Sequence, residues 1–210
     1  MSEQRTAEWF AERLGRLTAS RFADAVARTK TGWGVSRADY AEELEVERTT
    51  RQPFPQYVNA AMQWGTDKEP EARIAYCQEN DCDVIEVGFI PHPHIAMSGC
   101  SPDGLVGADG MVEIKCPGSK THWKTLKTEK IPGKYLAQMM WQLACAPDRQ
   151  WCDYASFDPR QRLDLQLYVI RVHRDDKLIE IMEAQAKEFL AEVDESVRRV
   201  LDKFSARLAA

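Results

Sequence analysis

The hydrophobic pattern of this 210-residue chain changes its period between residues 84 and 115, and this change restricts the folds open to it. On either side, over 57–80 and 134–146, apolar residues recur every three or four positions, as on an amphipathic helix. Within 84–115, short apolar runs are separated by prolines and glycines, which is typical of short β-strands. The pattern predicts strands at 84–90, 95–97 and 111–115, followed by two more at 152–157 and 165–172.

Helical patterns surround the predicted strands. Residues 6–50 predict several short helices, and 175–208 predict one long amphipathic helix. Pro70 predicts a kink or a break within 57–80. We therefore predict an α/β (α+β) fold in which a central mixed β-sheet is flanked by helices and followed by a long C-terminal helix. With 44% hydrophobic and 29% charged residues the composition is globular, and we predict one domain over residues 1–210.

The cysteines and the apolar runs indicate the cellular setting. No apolar run reaches the roughly 18 residues of a membrane span, and no signal peptide is evident. We therefore expect a cytoplasmic protein without a membrane partner. The six cysteines include no C-x-x-C pair, so we expect buried thiols rather than disulfides or a metal cluster.

Two carboxylates and one ammonium group are predicted to meet at one point of the sheet. On a strand, residues two apart share a face, so Glu113 and Lys115 point the same way while Ile114 turns into the core. The intervening turn can bring Asp103 beside Glu113. Two carboxylates form a hard oxygen site suited to Mg²⁺ or Mn²⁺, and the ammonium group can orient a water molecule, which together is the chemistry of phosphodiester hydrolysis. The alternative is a salt-bridged strand face beside a Pro-Asp-Gly turn.

These residues resemble a known nuclease signature. Pro102-Asp103 with Glu113-Ile114-Lys115 is similar to the PD-(D/E)XK motif, and five segments in matching order resemble the lambda exonuclease and YqaJ-type viral recombinase family. The five segments are WFAERLGRLTAS at 9–20, Trp64-Gly65 with Glu69, CSPDGL at 100–105, EIKCP at 113–117, and Tyr135-Leu136-Ala137-Gln138. The resemblance implies a restriction-endonuclease-like core and an enzyme that degrades the 5′ strand of duplex DNA from an end. It also implies dependence on Mg²⁺, a homotrimeric ring and a single-strand annealing protein as partner.

The resemblance also implies roles for individual residues. Asp103, Glu113 and the carbonyl of Ile114 match metal ligands, and Lys115 matches the residue that activates water. Glu69 matches a helix carboxylate near the metals, and Gln138 matches a glutamine that supports the water and the lysine.

Two further positions match a pocket for the 5′-phosphate. Arg13 matches the arginine that holds this phosphate, with Ser20 near the same pocket. The alternative interpretations are that Arg13 is an ordinary solvated base, that Ser20 stabilises its own helix, and that Gln138 makes a helix–sheet contact. Gln142, one helical turn beyond Gln138, has a weaker match.

The net charge of −5 conceals an uneven distribution. Residues 13–37 carry six basic side chains and one acidic one, and so do residues 115–134. Both segments contain motifs proposed to meet DNA, although charged helix faces would give the same pattern. Trp33 lies between two glycines, where its ring would stack on a DNA end or pack on a neighbouring subunit, and the sequence does not choose between these.

The leading hypothesis is a Mg²⁺-dependent 5′-to-3′ exonuclease that acts on double-stranded DNA ends, releases 5′-mononucleotides and serves phage-type recombination. Two Mg²⁺ ions are expected, and Mn²⁺ is expected to substitute. A bacterial or phage-infected host cell is the expected setting. The alternatives are an endonuclease with the same core and a catalytically silent DNA-binding or assembly module.

Overall fold

The protein folds into seven α-helices and eight short strands within the residues that a computed structural model describes, which are 3–55, 57 and 59–208. The helices are α1 Ala7–Arg13, α2 Phe22–Ala25, α3 Val35–Thr50, α4 Ala60–Asn80, α5 Ser119–Thr128, α6 Gly133–Cys145 and α7 Asp176–Leu208. The strands are β1 Leu17–Thr18, β2 Val84–Ile85, β3 Ile90–Pro91, β4 Ser98–Cys100, β5 Gly104–Val106, β6 Gly110–Lys115, β7 Trp151–Phe157 and β8 Leu167–His173. Short 3₁₀ turns lie at Ala19–Arg21 and Leu163–Leu165.

The strands form two mixed sheets. The larger has the order β2-β5-β6-β7-β8, in which β6 and β7 run parallel and the other neighbours antiparallel. The smaller has the order β1-β4-β3, with β1 and β4 parallel. Since β4 and β5 are separated only by residues 101–103, the two sheets meet at the Pro102-Asp103 motif. The predicted class, a mixed sheet flanked by helices with a long C-terminal helix, is confirmed.

Two hydrophobic clusters cover opposite faces of the larger sheet, because side chains alternate along β6. Met111 joins the larger cluster, which contains most of α6 and the inner face of α7, whereas Val112 and Ile114 join a smaller cluster beneath α4. Trp141 of α6 lies at the centre of the larger cluster, fully buried, with its ring 4.5 Å from that of Phe22. Helix α6 is therefore fixed against the same sheet face that carries Glu113.

Several strand and helix boundaries differ from the prediction. The apolar run at 84–90 is two strands, since β2 pairs with β5 of the larger sheet and β3 pairs with β4 of the smaller. The run at 95–97 is a turn, and the strand follows it at Ser98–Cys100. Helix α5 was not predicted. Pro70 lies inside α4 without dividing it, and α4 begins at Ala60, where the Asn59 side chain accepts hydrogen bonds from two backbone N–H groups.

Helix α7 has 33 residues and is about 50 Å long at 1.5 Å per residue. Its first half packs on α3 and α6 through Ile179, Met182, Ala186, Phe189 and Val193. The apolar stripe of the sequence, which includes Ile181 together with Met182 and Phe189, predicts that Ile181 faces the core, but its side chain is exposed. The helix is thus amphipathic as predicted, and near its N-terminus the buried face contains Ile179 and Met182 but not Ile181.

All six cysteines are free thiols, and Cys100, Cys116, Cys145 and Cys152 are buried, in agreement with the prediction. Cys77 and Cys82 are half-buried. Among the described helices, none is both long enough and apolar enough to span a membrane.

Candidate active site

The pairing of β5 with β6 brings the predicted carboxylates together. Gly104 lies opposite Val112, so Asp103, which precedes the strand, lies beside Glu113. Lys115 is on the same face as Glu113, two residues on, and its Nζ donates a hydrogen bond to Glu113 Oε1. Glu113 is almost completely buried, with 1% of its side chain exposed, and Lys115 is 24% exposed. The ammonium group is therefore the accessible side of this pair.

Asp103 is held in place by the backbone of the neighbouring strand. Its Oδ2 accepts a hydrogen bond of 2.7 Å from the backbone N–H of Ile114. The next residue has to be glycine, because a Cβ at Gly104 would lie 2.1 Å from Cγ1 of Val84. The carbonyl of Ile114 belongs to the strand segment between Glu113 and Lys115, so the three predicted metal ligands occupy one small region.

Two glutamines of α6 hold the carboxylate of Glu113. Gln138 Nε2 donates to Oε1 at 2.7 Å, and Gln142 Nε2 donates to Oε2 at 2.5 Å. Both side chains are buried and lie one helical turn apart. The Cys152 thiol donates to Gln142 Oε1 at 3.7 Å, so this amide is bonded at both ends. Each oxygen of Glu113 thus has an amide donor that fixes its orientation.

Glu69 of α4 adds a third carboxylate at the edge of the cluster, 15% exposed. Arg73, one turn further along α4, pairs with Glu69 Oε1 at 2.9 Å and also with Glu86 at 2.7 Å. Arg5 pairs with Glu69 Oε2 at 2.5 Å. Both oxygens of Glu69 are therefore covered by guanidinium groups.

The cluster is electrostatically strained. Burial, followed by the negative charge of Glu113, holds the pKa of Asp103 well above its usual range; Lys115 opposes this effect and Glu69 adds to it. Burial also disfavours the charged form of Lys115, but the two neighbouring carboxylates outweigh burial and raise its pKa. One ammonium group thus faces two buried carboxylates, an arrangement that a bound cation would relieve.

The donor set fits a hard divalent cation. Asp103, Glu113 and the Ile114 carbonyl offer only oxygen, which suits Mg²⁺ or Mn²⁺ rather than zinc. Among the residues that the structure describes, no three His, Cys, Asp or Glu side chains converge to form a complete metal-binding set. The protein would therefore supply two carboxylates and one carbonyl, and the remaining positions would be left to water and substrate.

A second polar pocket adjoins this cluster. Arg13 donates from Nη1 to Ser101 Oγ at 3.2 Å, and Trp9 Nε1 donates to the same oxygen at 2.9 Å. The Arg13 guanidinium lies 4.1 Å from the centre of the Trp9 ring. Burial lowers the pKa of Arg13, with Tyr40 opposing, although the group stays protonated. Because Ser101 is two residues before Asp103, the Arg13 guanidinium is hydrogen-bonded to the chain segment that carries this carboxylate.

Comparison with known proteins places these features in a family. Residues 8–149 match the model of the YqaJ-like viral recombinase domain, which covers more than half of the chain. The chain belongs to this family. No curated protein matches it.

Solved structures agree with this assignment. An alkaline exonuclease (LHK-Exo) from Laribacter hongkongensis has 47% sequence identity and a TM-score of 0.88, and the match covers 97% of this chain and 100% of that one. The same protein in complex with dAMP has 46% identity and a TM-score of 0.89, with the same coverage. A phage related exonuclease from Haemophilus somnus 129PT has 10% identity and a TM-score of 0.69 over 88% of this chain and 96% of that one, which shows a shared fold alone.

Two predicted DNA-binding residues of this YqaJ-like domain make their observed contacts with residues outside the carboxylate cluster. Ser20 is exposed in the 3₁₀ turn, and its hydroxyl is 3.4 Å from that of Thr18. Trp33 lies between the guanidinium groups of Arg28 and Arg37, at 3.7 and 3.8 Å from its ring centre. Both faces of the Trp33 ring are therefore covered, and stacking on a base would require one arginine to move.

The sequence does not predict two residues of the site, Ser101 and Trp9, and gives a third, Gln142, only a weaker match. Ser101 and Trp9 lie within the CSPDGL and WFAERLGRLTAS segments, in which the family resemblance assigns roles to Asp103 and Arg13 instead. Gln142 drew a weaker claim than Gln138, yet both donate to the same carboxylate. Their shared face, four residues apart on one helix, was the available signal.

We expect Gln142→Met to lower the free energy of unfolding by about 1–3 kcal/mol, since Oε2 of a buried carboxylate loses its donor while the side-chain volume is kept. Urea unfolding monitored by circular dichroism measures this. Gln78→Met, on the exposed side of α4, is the matched control and should leave the midpoint unchanged. Equal midpoints for the two variants would show that Gln142 does not support Glu113.

Proposed function

We propose that this protein is a Mg²⁺-dependent 5′-to-3′ exonuclease that degrades one strand of double-stranded DNA from its ends during phage-type recombination. The observation that carries the proposal is the buried Asp103–Glu113 pair with Lys115 on its accessible side, next to the Arg13–Ser101 pocket. The similarity to an alkaline exonuclease at 47% identity supports the same activity.

Each residue has a defined part in this reaction. Asp103, Glu113 and the Ile114 carbonyl would hold a divalent cation, which would supply the charge that polarises a phosphodiester and acidifies an attacking water. Lys115 orients that water and offsets the charge that develops on the phosphate. Gln138 keeps Glu113 in a single orientation beside Lys115. Glu69 adds negative charge at the edge of the cluster.

The Arg13 pocket supports the proposed polarity. A guanidinium fork matches a terminal phosphate dianion better than an ammonium group does. Since Arg13 is linked through Ser101 to the chain segment that carries Asp103, a 5′-phosphate held there would place the first phosphodiester near the carboxylates. Cleavage at that bond releases a 5′-mononucleotide and exposes a new 5′-phosphate.

The route for duplex DNA is proposed along exposed basic side chains. Helix α5 follows the active-site strand in the chain and packs on β7; this helix and the loop after it present a row of lysines, and the 28–33 loop carries further bases. The exposed members are Lys120, Lys124, Lys127, Lys130, Arg28 and Lys30. Phosphate contacts of this kind make affinity fall with salt, even in a chain whose net charge is −5.

Digestion of linear duplex DNA labelled at either the 5′ or the 3′ end, with and without Mg²⁺, tests the proposal. We expect early release of 5′-labelled mononucleotides only when Mg²⁺ is present. Release from the 3′ end would overturn the polarity, and cleavage of covalently closed circular duplex would favour the endonuclease alternative. A titration that finds no affinity for Mg²⁺ or Mn²⁺ would favour the catalytically silent DNA-binding module.

The partners follow from the same family resemblance. We propose a homotrimeric ring that encloses the duplex, and a single-strand annealing protein that takes up the strand left behind. A ring would keep the enzyme on DNA between cuts. Sedimentation equilibrium of the DNA-free protein tests the trimer.

We expect Arg13→Ala to lower the preference for 5′-phosphorylated over 5′-hydroxyl ends by about 10-fold or more, because a charged hydrogen bond to the phosphate is lost. The ratio of initial rates on the two substrates measures this preference. Arg162→Ala, at an exposed arginine that pairs with Asp164, is the control. An unchanged ratio in Arg13→Ala would remove this residue from phosphate recognition.

A further inference from the structure

The segment that precedes α1, residues 3–6, lies across the Pro102-Asp103 turn. Gln4 Nε2 donates hydrogen bonds to the backbone carbonyls of Val87, at 2.8 Å, and Pro102, at 2.9 Å. Pro102 is the residue directly before the buried Asp103. Gln4 therefore anchors residues 3–6, here called the leading segment, to the turn that carries a proposed metal ligand.

This anchoring brings Arg5 to the carboxylate cluster. Its guanidinium pairs with Glu69 Oε2 at 2.5 Å, while half of its side chain stays exposed. The backbone of Arg5 has φ = 68°, in the left-handed region that few residues other than glycine adopt. The leading segment thus holds an accessible cation at the edge of the carboxylate cluster.

The two guanidinium groups on Glu69 are held very differently. Arg73 is only 15% exposed, pairs with Glu86 as well as Glu69, and donates to the Asp103 carbonyl at 3.5 Å. Arg5 is 50% exposed, and within the described part of the chain its one acidic partner is Glu69. If a change in charge at the cluster displaces one of them, it is Arg5.

We propose that Arg5 is a phosphate-binding residue of the active site, which pairs with Glu69 in the DNA-free protein and contacts the cleaved strand when a divalent cation occupies the cluster. The inference rests on the proposed nuclease function and extends it to the leading segment. A phosphodiester approaching the buried Asp103 and Glu113 meets repulsion that the single charge of Lys115 offsets only in part. The planar, exposed guanidinium of Arg5 provides a second donor of the shape that phosphate oxygens accept.

The proposal predicts two effects of opposite sign for Arg5→Gly. Glycine adopts the positive φ without strain, so the substitution removes the side chain and leaves the backbone conformation possible. Glu69 loses a competing cation, so MgCl₂ should bind the DNA-free protein more tightly, by about two- to fivefold. The phosphate loses a charged donor, so cleavage at saturating Mg²⁺ should slow by about 10-fold. Loss of a residue that only stabilises the fold would instead weaken Mg²⁺ binding and also slow cleavage.

Isothermal titration of MgCl₂ into the DNA-free protein and single-turnover cleavage of 5′-phosphorylated duplex DNA measure the two effects. Arg5→Lys keeps the charge but not the fork, so it should fall between wild type and Arg5→Gly in cleavage rate. Arg5→Asn, which also tolerates positive φ, provides a second neutral variant if Arg5→Gly folds poorly. Arg162→Gly, at an exposed arginine that pairs with Asp164, is the matched control and should change neither quantity.

The outcomes separate this inference from the proposed function. If wild type cleaves DNA with Mg²⁺ while the Gly and Asn variants match it in both rate and Mg²⁺ affinity, the role of Arg5 is overturned and the nuclease stands. Variants with slower cleavage and weaker Mg²⁺ binding would make Arg5 a structural residue and also overturn the proposal. Tighter Mg²⁺ binding with slower cleavage supports it. If wild type shows no Mg²⁺-dependent cleavage, the proposed function itself fails.

Discussion

Lys115→Ala is expected to slow DNA cleavage by about 10²–10⁴-fold, the range that a positioned proton-transfer or water-orienting group contributes. Lys115 carries the positive charge next to Glu113, and its side chain is 24% exposed whereas that of Glu113 beneath it is 1% exposed. Binding of DNA ends should change little, because the Arg13 pocket and the lysines of α5 are untouched. Single-turnover cleavage and fluorescence anisotropy with 5′-phosphorylated duplex DNA measure the two properties separately.

A variant at Lys115 also leaves a buried carboxylate with less compensation, so loss of folding has to be distinguished from loss of chemistry. Lys115→Gln keeps a hydrogen-bond donor toward Glu113 without the charge, and it should fold while remaining inactive. Lys187→Ala removes an exposed lysine of α7 and serves as the matched control. Cleavage by folded Lys115→Gln within tenfold of wild type would exclude Lys115 as the water-orienting residue.

The parts of the fold that were correctly predicted are those specified by local pattern. Strand β6 alternates strictly between two environments, so the common face of Glu113 and Lys115 could be derived from spacing alone. Helix α6 has a continuous apolar face around Trp141, and its predicted limits differ from the observed ones by one residue at each end.

The errors arise where tertiary pairing decides the structure. Five of the seven residues in the run 84–90 are apolar, and only its partners, β5 for one end and β4 for the other, divide it into two strands. The buried face of helix α5 consists of two polar side chains, His122 and Thr125, while Trp123 is exposed, so a pattern of buried apolar residues does not reveal this helix. The contact of Arg5 with Glu69 joins positions 64 residues apart, which no local signal reveals.

The stability of the site points to a conflict between folding and function at Asp103. This carboxylate is buried beside Glu113 and close to Glu69, and its raised pKa shows that the charged form is disfavoured in the folded protein. By linkage, an acid whose pKa rises on folding contributes stability below its unfolded pKa of about 3.9 and loses that contribution as pH increases through the folded value. Neutral pH lies above the unfolded pKa, so without metal Asp103 makes folding less favourable there, whether it buries its charge or takes up a proton.

Asp103→Asn is accordingly expected to abolish Mg²⁺-dependent cleavage. In metal-free buffer at neutral pH it should also raise the free energy of unfolding by about 0.5–2 kcal/mol, the gain usual when a strained functional residue is replaced. The amide oxygen can still accept the hydrogen bond from the Ile114 N–H, so the turn stays supported. Urea unfolding in EDTA at neutral pH and again near pH 4 measures the effect, and the gain should shrink at the lower pH. Asp164→Asn, at an exposed carboxylate, is the control. A less stable Asp103→Asn protein would show that the carboxylate is not under electrostatic strain. A more stable but inactive protein would show that Asp103 lowers the stability of the fold and is required for cleavage.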